Sequence, residues 1–176
     1  MVSYDGRVSR PSDVRAYNDA VDRIRSEWDA TYPHLDTEPI EILGRVQRIA
    51  SICNHRLDLN LEQHGLTPSE FGVLGALARA GRPLRASEVV STTMLSGASI
   101  TKLAESLATR GLLQRQKSTR DKRVVLLALT DAGQAVVDTQ FPRRLSDDQE
   151  VIAGLTAAEK ETLAGLLRKV CVTLGE

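Results

Sequence analysis

Apolar side chains recur every third or fourth position along most of this chain, and past its middle that periodicity gives way to two short runs, residues 112–116 and 124–129. Over residues 10–30, Val14, Tyr17, Val21, Ile24 and Trp28 fall on one stripe, predicting an amphipathic helix that Pro33 closes. A second helix is predicted from near Pro39 to about His64, where Ile42, Val46, Ile49, Cys53, Leu57 and Leu61 keep the same spacing until Gly65. A stripe that long, in a small protein, calls for a partner chain as well as its own core.

Thr67-Pro68-Ser69-Glu70 is a strong helix start: the threonine caps, the proline suits the first helical position, and the glutamate reaches back to the cap. The third helix then runs with Phe71, Leu74 and Leu77 inward and stops at Gly81. After an extended stretch around residues 83–85, a short helix over 86–92 carries Val89 and Val90. The next helix, capped by Ser96 or Ser99, turns Ile100, Leu103 and Leu107 inward until Gly111. Two short helices in succession make a helix-turn-helix candidate. Residues 112–116 and 124–129 then read as strands on either side of a polar tip, a ribbon of the kind called a wing. Thr130-Asp131 opens a further helix through Val136 and Val137, expected to be disturbed near Pro142 and to resume towards Ile152. A second capping box, Thr156-Ala157-Ala158-Glu159, opens a last helix with Leu163, Leu166, Leu167, Val170 and Leu174 on its apolar side. The expected class is mainly α with a small β-wing.

Composition adds little until charge is mapped. The 176 residues, 41% hydrophobic, suffice for one domain of ordinary core, and the formal net charge is zero. Residues 102–130, however, hold Lys102, Arg110, Arg115, Lys117, Arg120, Lys122 and Arg123 against Glu105 and Asp121, so a local positive field lies under the neutral total. No apolar run is long enough for a membrane span, and residues 1–10 lack the apolar core of a secretory signal, so a cytoplasmic location is expected. Cys53 and Cys171 are expected to be small buried hydrophobes, not a disulfide. His34, His55 and His64 are scattered, Cys53 and His55 fall on different sides of a helix, and no phosphate-cradling glycine loop is present. The expectation is a non-enzyme without metal or cofactor.

The helix ending at Arg110 presents Ser99, Lys102 and Ser106 opposite its apolar stripe, with Ala98 and Thr101 at the flanks. Small and hydroxyl-bearing side chains permit close approach to base edges, and a major groove about 12 Å wide admits such a helix. Arg120, Lys122 and Arg123 at the ribbon tip suit the narrow minor groove, where negative potential is concentrated. Asp121 is poorly suited to a phosphate and better suited to holding the tip in shape by pairing with an arginine.

Gly111-Leu112-Leu113, Asp121-Lys122-Arg123-Val124 and Leu129-Thr130-Asp131-Ala132-Gly133 together resemble the wing signature of the MarR family of winged-helix transcription regulators. Residues 95–103 resemble that family's recognition helix, and the likeness spans about residues 39–174. It implies a homodimer on a pseudo-palindromic operator, with dimerisation helices at 39–64 and 131–176 and a DNA-binding winged helix-turn-helix at 65–130. Carried onto matching positions, it assigns Ser96, Ser99, Thr101 and Lys102 to the major groove and Arg120 and Arg123 to the wing contact. Trp28, Pro33-His34-Leu35-Asp36, Pro39 and Gly44-Arg45 resemble the branch with an extra N-terminal helix, here residues 1–38, some members of which respond to urate. That likeness makes Trp28 a ligand-site residue; its alternative role is an aromatic anchor for the added helix. Gly72 and Leu103 depart from the branch's acidic and arginine positions, which leaves the effector's identity open.

The resulting expectation is a ligand-responsive repressor that binds double-stranded DNA. The alternative is a winged-helix protein-interaction module. Residues 96–123 contain no aromatic anchor of the kind protein-docking faces favour, which argues for DNA.

Overall fold

The computed structural model describes residues 18–93, 95–117 and 124–175. The chain forms two compact units, Met1–Ile52 and Cys53–Glu176, divided within one long helix.

The first unit holds α1 (Ala20–Thr31) and the leading part of α2 (Glu38–Glu62). The first helix starts later than its apolar stripe suggested. Asp19 is extended, and its carboxylate accepts from the N–H groups of Val21 and Asp22 while Asp22 accepts from the Asp19 N–H, a reciprocal cap that sets the start at Ala20. Val14 and Tyr17 lie outside the described residues. Arg45 on α2 donates to both capping carboxylates, at 2.9 Å to Asp19 and 2.7 Å to Asp22, and Arg25 on α1 pairs with Glu41 on α2. The two helices come closest at Gly44, where an added Cβ would stand 2.9 Å from Val21 Cγ1. Val21 is buried there, yet Ile42, Leu43, Val46 and Ile49 on the same stretch of α2 are all more than 40% exposed.

The second unit continues α2 into α3 (Pro68–Ala80), β1 (Leu84–Arg85), α4 (Ala86–Thr93), α5 (Gly97–Thr109), β2 (Leu113–Lys117), β3 (Val125–Leu129), α6 (Asp131–Val151) and α7 (Ala157–Thr173). The antiparallel sheet has the order β1-β3-β2, with Leu84 opposite Leu127, Leu113 opposite Leu129 and Lys117 opposite Val125. Lys117 therefore belongs to the ribbon's stem, not to its tip. Leu61, Val73, Leu74, Val89, Ile100 and Leu107, none with measurable exposure, form the centre of one core closed by Leu84, Leu113, Leu127 and Val137.

The junction of wing and α6 explains the Leu-Thr-Asp-Ala-Gly run. The Thr130 hydroxyl donates to the Gly111 carbonyl at 2.7 Å and accepts from the Gly133 N–H at 3.1 Å, so one side chain caps α6 and closes the base of the ribbon. Gly133 lies so tightly on the ribbon that an added Cβ would stand 2.0 Å from the Leu112 carbonyl oxygen.

Two expectations fail in this unit. Helix α6 runs unbroken through Pro142. Proline deprives the Asp138 carbonyl of its helical donor, but Asp138 and Pro142 are both exposed, where water donates in place of the missing N–H. The cysteines are not core residues: Cys53 is half-buried and Cys171 exposed, because α7 buries none of its side chains within the chain.

Candidate nucleic-acid interface

Helix α5 begins at Ser96, whose hydroxyl accepts the Ser99 N–H at 3.2 Å and lies 2.8 Å from the Ser99 hydroxyl. The Thr101 hydroxyl donates to the Gly97 carbonyl at 3.0 Å, which leaves its lone pairs as the free recognition element. Lys102 is exposed and has no ion pair among the described residues. Ser96, Thr101 and Lys102 are exposed and Ser99 is half-buried, so the four assigned residues gather on the first half of one helix.

The second half differs from the sequence expectation. The inward stripe is Ile100, Ala104 and Leu107, with Leu103 half-buried, and Ser106 turns towards α3 instead of outward. Its hydroxyl donates to Glu70 Oε1 at 2.9 Å. The outward face is Ala98, Thr101, Lys102 and Glu105.

Arg115 and Lys117 are exposed on β2, opposite Leu127 and Val125. Alternation places them on the ribbon face that carries Leu113 and Leu129, so that face passes from core to cation as it leaves the domain. Both residues belong to the basic segment 102–130, and the pairing register adds which β3 residues stand opposite them. Arg120, Asp121, Lys122 and Arg123, the expected tip contacts and tip-shaping residue, lie outside the described residues.

Glu70 is the functional-site neighbour that sequence reasoning undervalued. It completes the expected box with Thr67, accepting the Thr67 N–H at 3.0 Å and the Thr67 hydroxyl at 3.3 Å, but it is also 6% exposed and faces α5. Arg110 Nη1 lies 3.4 Å from each of its oxygens. Burial pushes the Glu70 carboxyl up; the Thr67 N–H, the Ser106 hydroxyl and the Arg110 charge outweigh it and hold the group below the usual carboxylate range. These partners stand 36 and 40 residues away, which no local pattern encodes.

Trp28 sits in the first unit, 48% exposed and stacked on Tyr32 with ring centroids 5.6 Å apart. It lines an open groove of about 540 Å³ between α1 and α2, floored by Val21, Ile24, Ile40 and Leu43, with Arg48 as its cation. Among the described residues no group of His, Cys, Asp and Glu could hold a metal ion, and no helix is long and apolar enough to cross a membrane.

Residues 64–124 match the model of the MarR family. The regulator PecS of Dickeya dadantii is 28% identical over 85% of this chain and 92% of its own length. The transcriptional regulator MhqR of Bacillus subtilis is 32% identical over 73% of this chain and 86% of its own. A solved structure of Bordetella bronchiseptica BpsR, whose DNA binding is regulated by 6-hydroxynicotinic acid, superposes with a TM-score of 0.66 at 28% identity, covering 74% of this chain and 92% of that one. With the core, the three-stranded wing and the exposed first half of α5 already in place, these similarities identify the chain as a DNA-binding transcription regulator belonging to the MarR family.

Proposed function

We propose that two copies of this chain bind a pseudo-palindromic operator, one recognition helix per half-site, and repress transcription until a small molecule releases them. Ser96, Ser99, Thr101 and Lys102 enter the major groove. Arg120, Lys122 and Arg123 meet the backbone or minor groove, with Asp121 bracing the tip and Arg115 and Lys117 extending the cationic face along the stem. Residues 39–64 and 131–176 supply the dimerisation helices, residues 65–130 the DNA-binding part and residues 1–38 the added helix. The observation that carries the reading is the exposed first half of α5, lined by small and hydroxyl residues and one lysine with no ion pair among the described residues, beside a ribbon that carries exposed Arg115 and Lys117 on one face.

A homodimer is supported by the apolar side chains that the single chain leaves uncovered. Leu163, Leu166, Leu167 and Val170 on α7 and Ile42, Val46 and Ile49 on α2 are all exposed to about half their area, and covering the remainder returns on the order of 1 kcal/mol for each. Two-fold symmetry then requires half-sites about 10 base pairs apart. The groove beside Trp28, aromatic at one end and holding Arg48, suits a planar acid, the chemistry of the compound that regulates the Bordetella protein. A ligand there acts only through its difference in affinity between the two spacings of the recognition helices.

Gel-shift titration on the DNA upstream of the chain's own gene tests the reading. Affinity is expected to fall steeply with salt, and replacing Arg120 and Arg123 by alanine should flatten the log–log slope by about 3 to 4 for the four contacts a dimer loses. An unchanged slope would remove the wing from the interface.

A further inference from the structure

The proposed DNA contacts occupy the first half of α5, while the last turn of that helix is anchored by a single carboxylate. Glu70 accepts from Ser106 on α5 and from Arg110, four residues on at that helix's C-cap, and at the same time closes the cap of α3. Arg110 also donates from Nη2 to the His64 carbonyl at 3.0 Å, in the turn between α2 and α3. The side-chain amide of Gln140 on α6, 3% exposed, hydrogen-bonds the His64 ring at 2.7 Å. Polar contacts thus run unbroken from α6 through the turn to the end of α5 and the start of α3.

We propose that Glu70 is the positioning residue of the recognition helix: it fixes the tilt at which α5 presents Ser96 to Lys102, and through Arg110 and His64 it ties that tilt to α6. The inference rests on the DNA-binding reading of α5. A glutamate at the third position of a capping box ordinarily needs only its own helix, and the box at Thr156 and Glu159 is solvent-exposed. The Glu70 side chain is instead 8% exposed, with donors from three residues, Thr67 at the start of α3 and Ser106 and Arg110 at the end of α5. An apolar contact can slide; a buried carboxylate with directional donors holds one arrangement, because any shift leaves charge without a partner. Ser106 and Ser96 are ten residues apart, about 15 Å along the helix axis, so a rotation of about 5° at the anchored end moves the groove-facing end by more than about 1 Å. Base-edge hydrogen bonds are lost over such a distance, whereas phosphate attraction is little changed.

The experiment uses full-length Glu70→Gln and Ser106→Ala proteins, the duplex upstream of the chain's own gene, and a scrambled duplex of equal length. Both variants should lose about tenfold of their preference for the upstream duplex, the scale of one mismatched base pair, while the salt slope stays that of the unmodified protein. Amide exchange should rise at the end of α5, residues 104–112, with the α3 core unchanged. The Ser106→Ala variant leaves the α3 cap intact, so it keeps the inference testable if Glu70→Gln does not fold. Unchanged preference together with unchanged exchange in α5 would reduce Glu70 to a helix cap and overturn the inference. A slope flattened by about 2 in Arg110→Gln would make Arg110 a phosphate ligand in each copy, which also overturns it. If the unmodified protein shows no preference for the upstream duplex, the operator reading fails, and α5 exchange in the variants still decides whether Glu70 holds the helix.

Discussion

The packed winged-helix core and the outer helix α7 are built from the same apolar periodicity, and they meet opposite fates. Leu61, Val73, Ile100 and Leu107 have no measurable exposure, whereas Leu166 is 54% and Val170 43% exposed. Helix periodicity marks a face that must be covered and does not say by what. In the core the cover is the same chain; on α7 the chain supplies none, and the proposed dimer would place a second copy there.

The comparison is broken most severely where the core has no spare room. Gly133→Ala places a methyl group 2.0 Å from the Leu112 carbonyl, which neither a capped helix end nor a paired ribbon can yield to. More than about 3 kcal/mol of stability should be lost, read as a collapse of the thermal transition. The same leucine truncation in the two regions then sharpens the contrast. Leu61→Ala should cost about 2–5 kcal/mol at any protein concentration. Leu166→Ala should cost on the order of 1–1.5 kcal/mol per copy, mainly through association because Leu166 is 54% exposed in the single chain, so that its Tm deficit grows on dilution and sedimentation shows more monomer. Equal deficits at all concentrations for Leu166→Ala would assign α7 to the intrachain core.

The smallest effect is on pH dependence. Burial raises the Glu70 carboxyl, but Thr67, Ser106 and Arg110 together hold it below its ordinary value. The folded protein therefore takes up that proton at lower pH than the unfolded chain does. The resulting stability is fully present above the unfolded value near pH 4.3 and is lost as pH falls through the folded one. The Tm gap between the unmodified protein and Glu70→Gln should consequently shrink below about pH 4; a gap that stays constant to lower pH would mean the carboxylate is not ionised in the fold.

How much of this was legible depends on whether the cause was local. The caps at Thr67, Thr130 and Thr156, the stop at Gly81 and the two wing strands all follow from neighbours within four residues, and the structure has them within about one position of their expected places. The start of α1 is not legible from the stripe between Val14 and Trp28, because the Asp19–Asp22 box that sets it is a weaker signal than the stripe. Pro142 reads as a disturbance in the sequence because its exposure is a tertiary fact. The major-groove residues could be named from helical spacing, but Ser106 could not be separated from them. Its inward turn depends on Glu70, brought alongside only by packing of α3 on α5. Exposure of Cys171 was illegible for the same reason, since it follows from what covers α7.

Hydroxyl-radical footprinting of the upstream DNA with stoichiometric titration tests most directly whether paired copies present their α5 helices to one duplex. Two chains per site, with protected patches about 10 base pairs apart on one face of the helix, is the predicted result. Saturation by one chain with a single protected patch, or protection without periodicity, would contradict it.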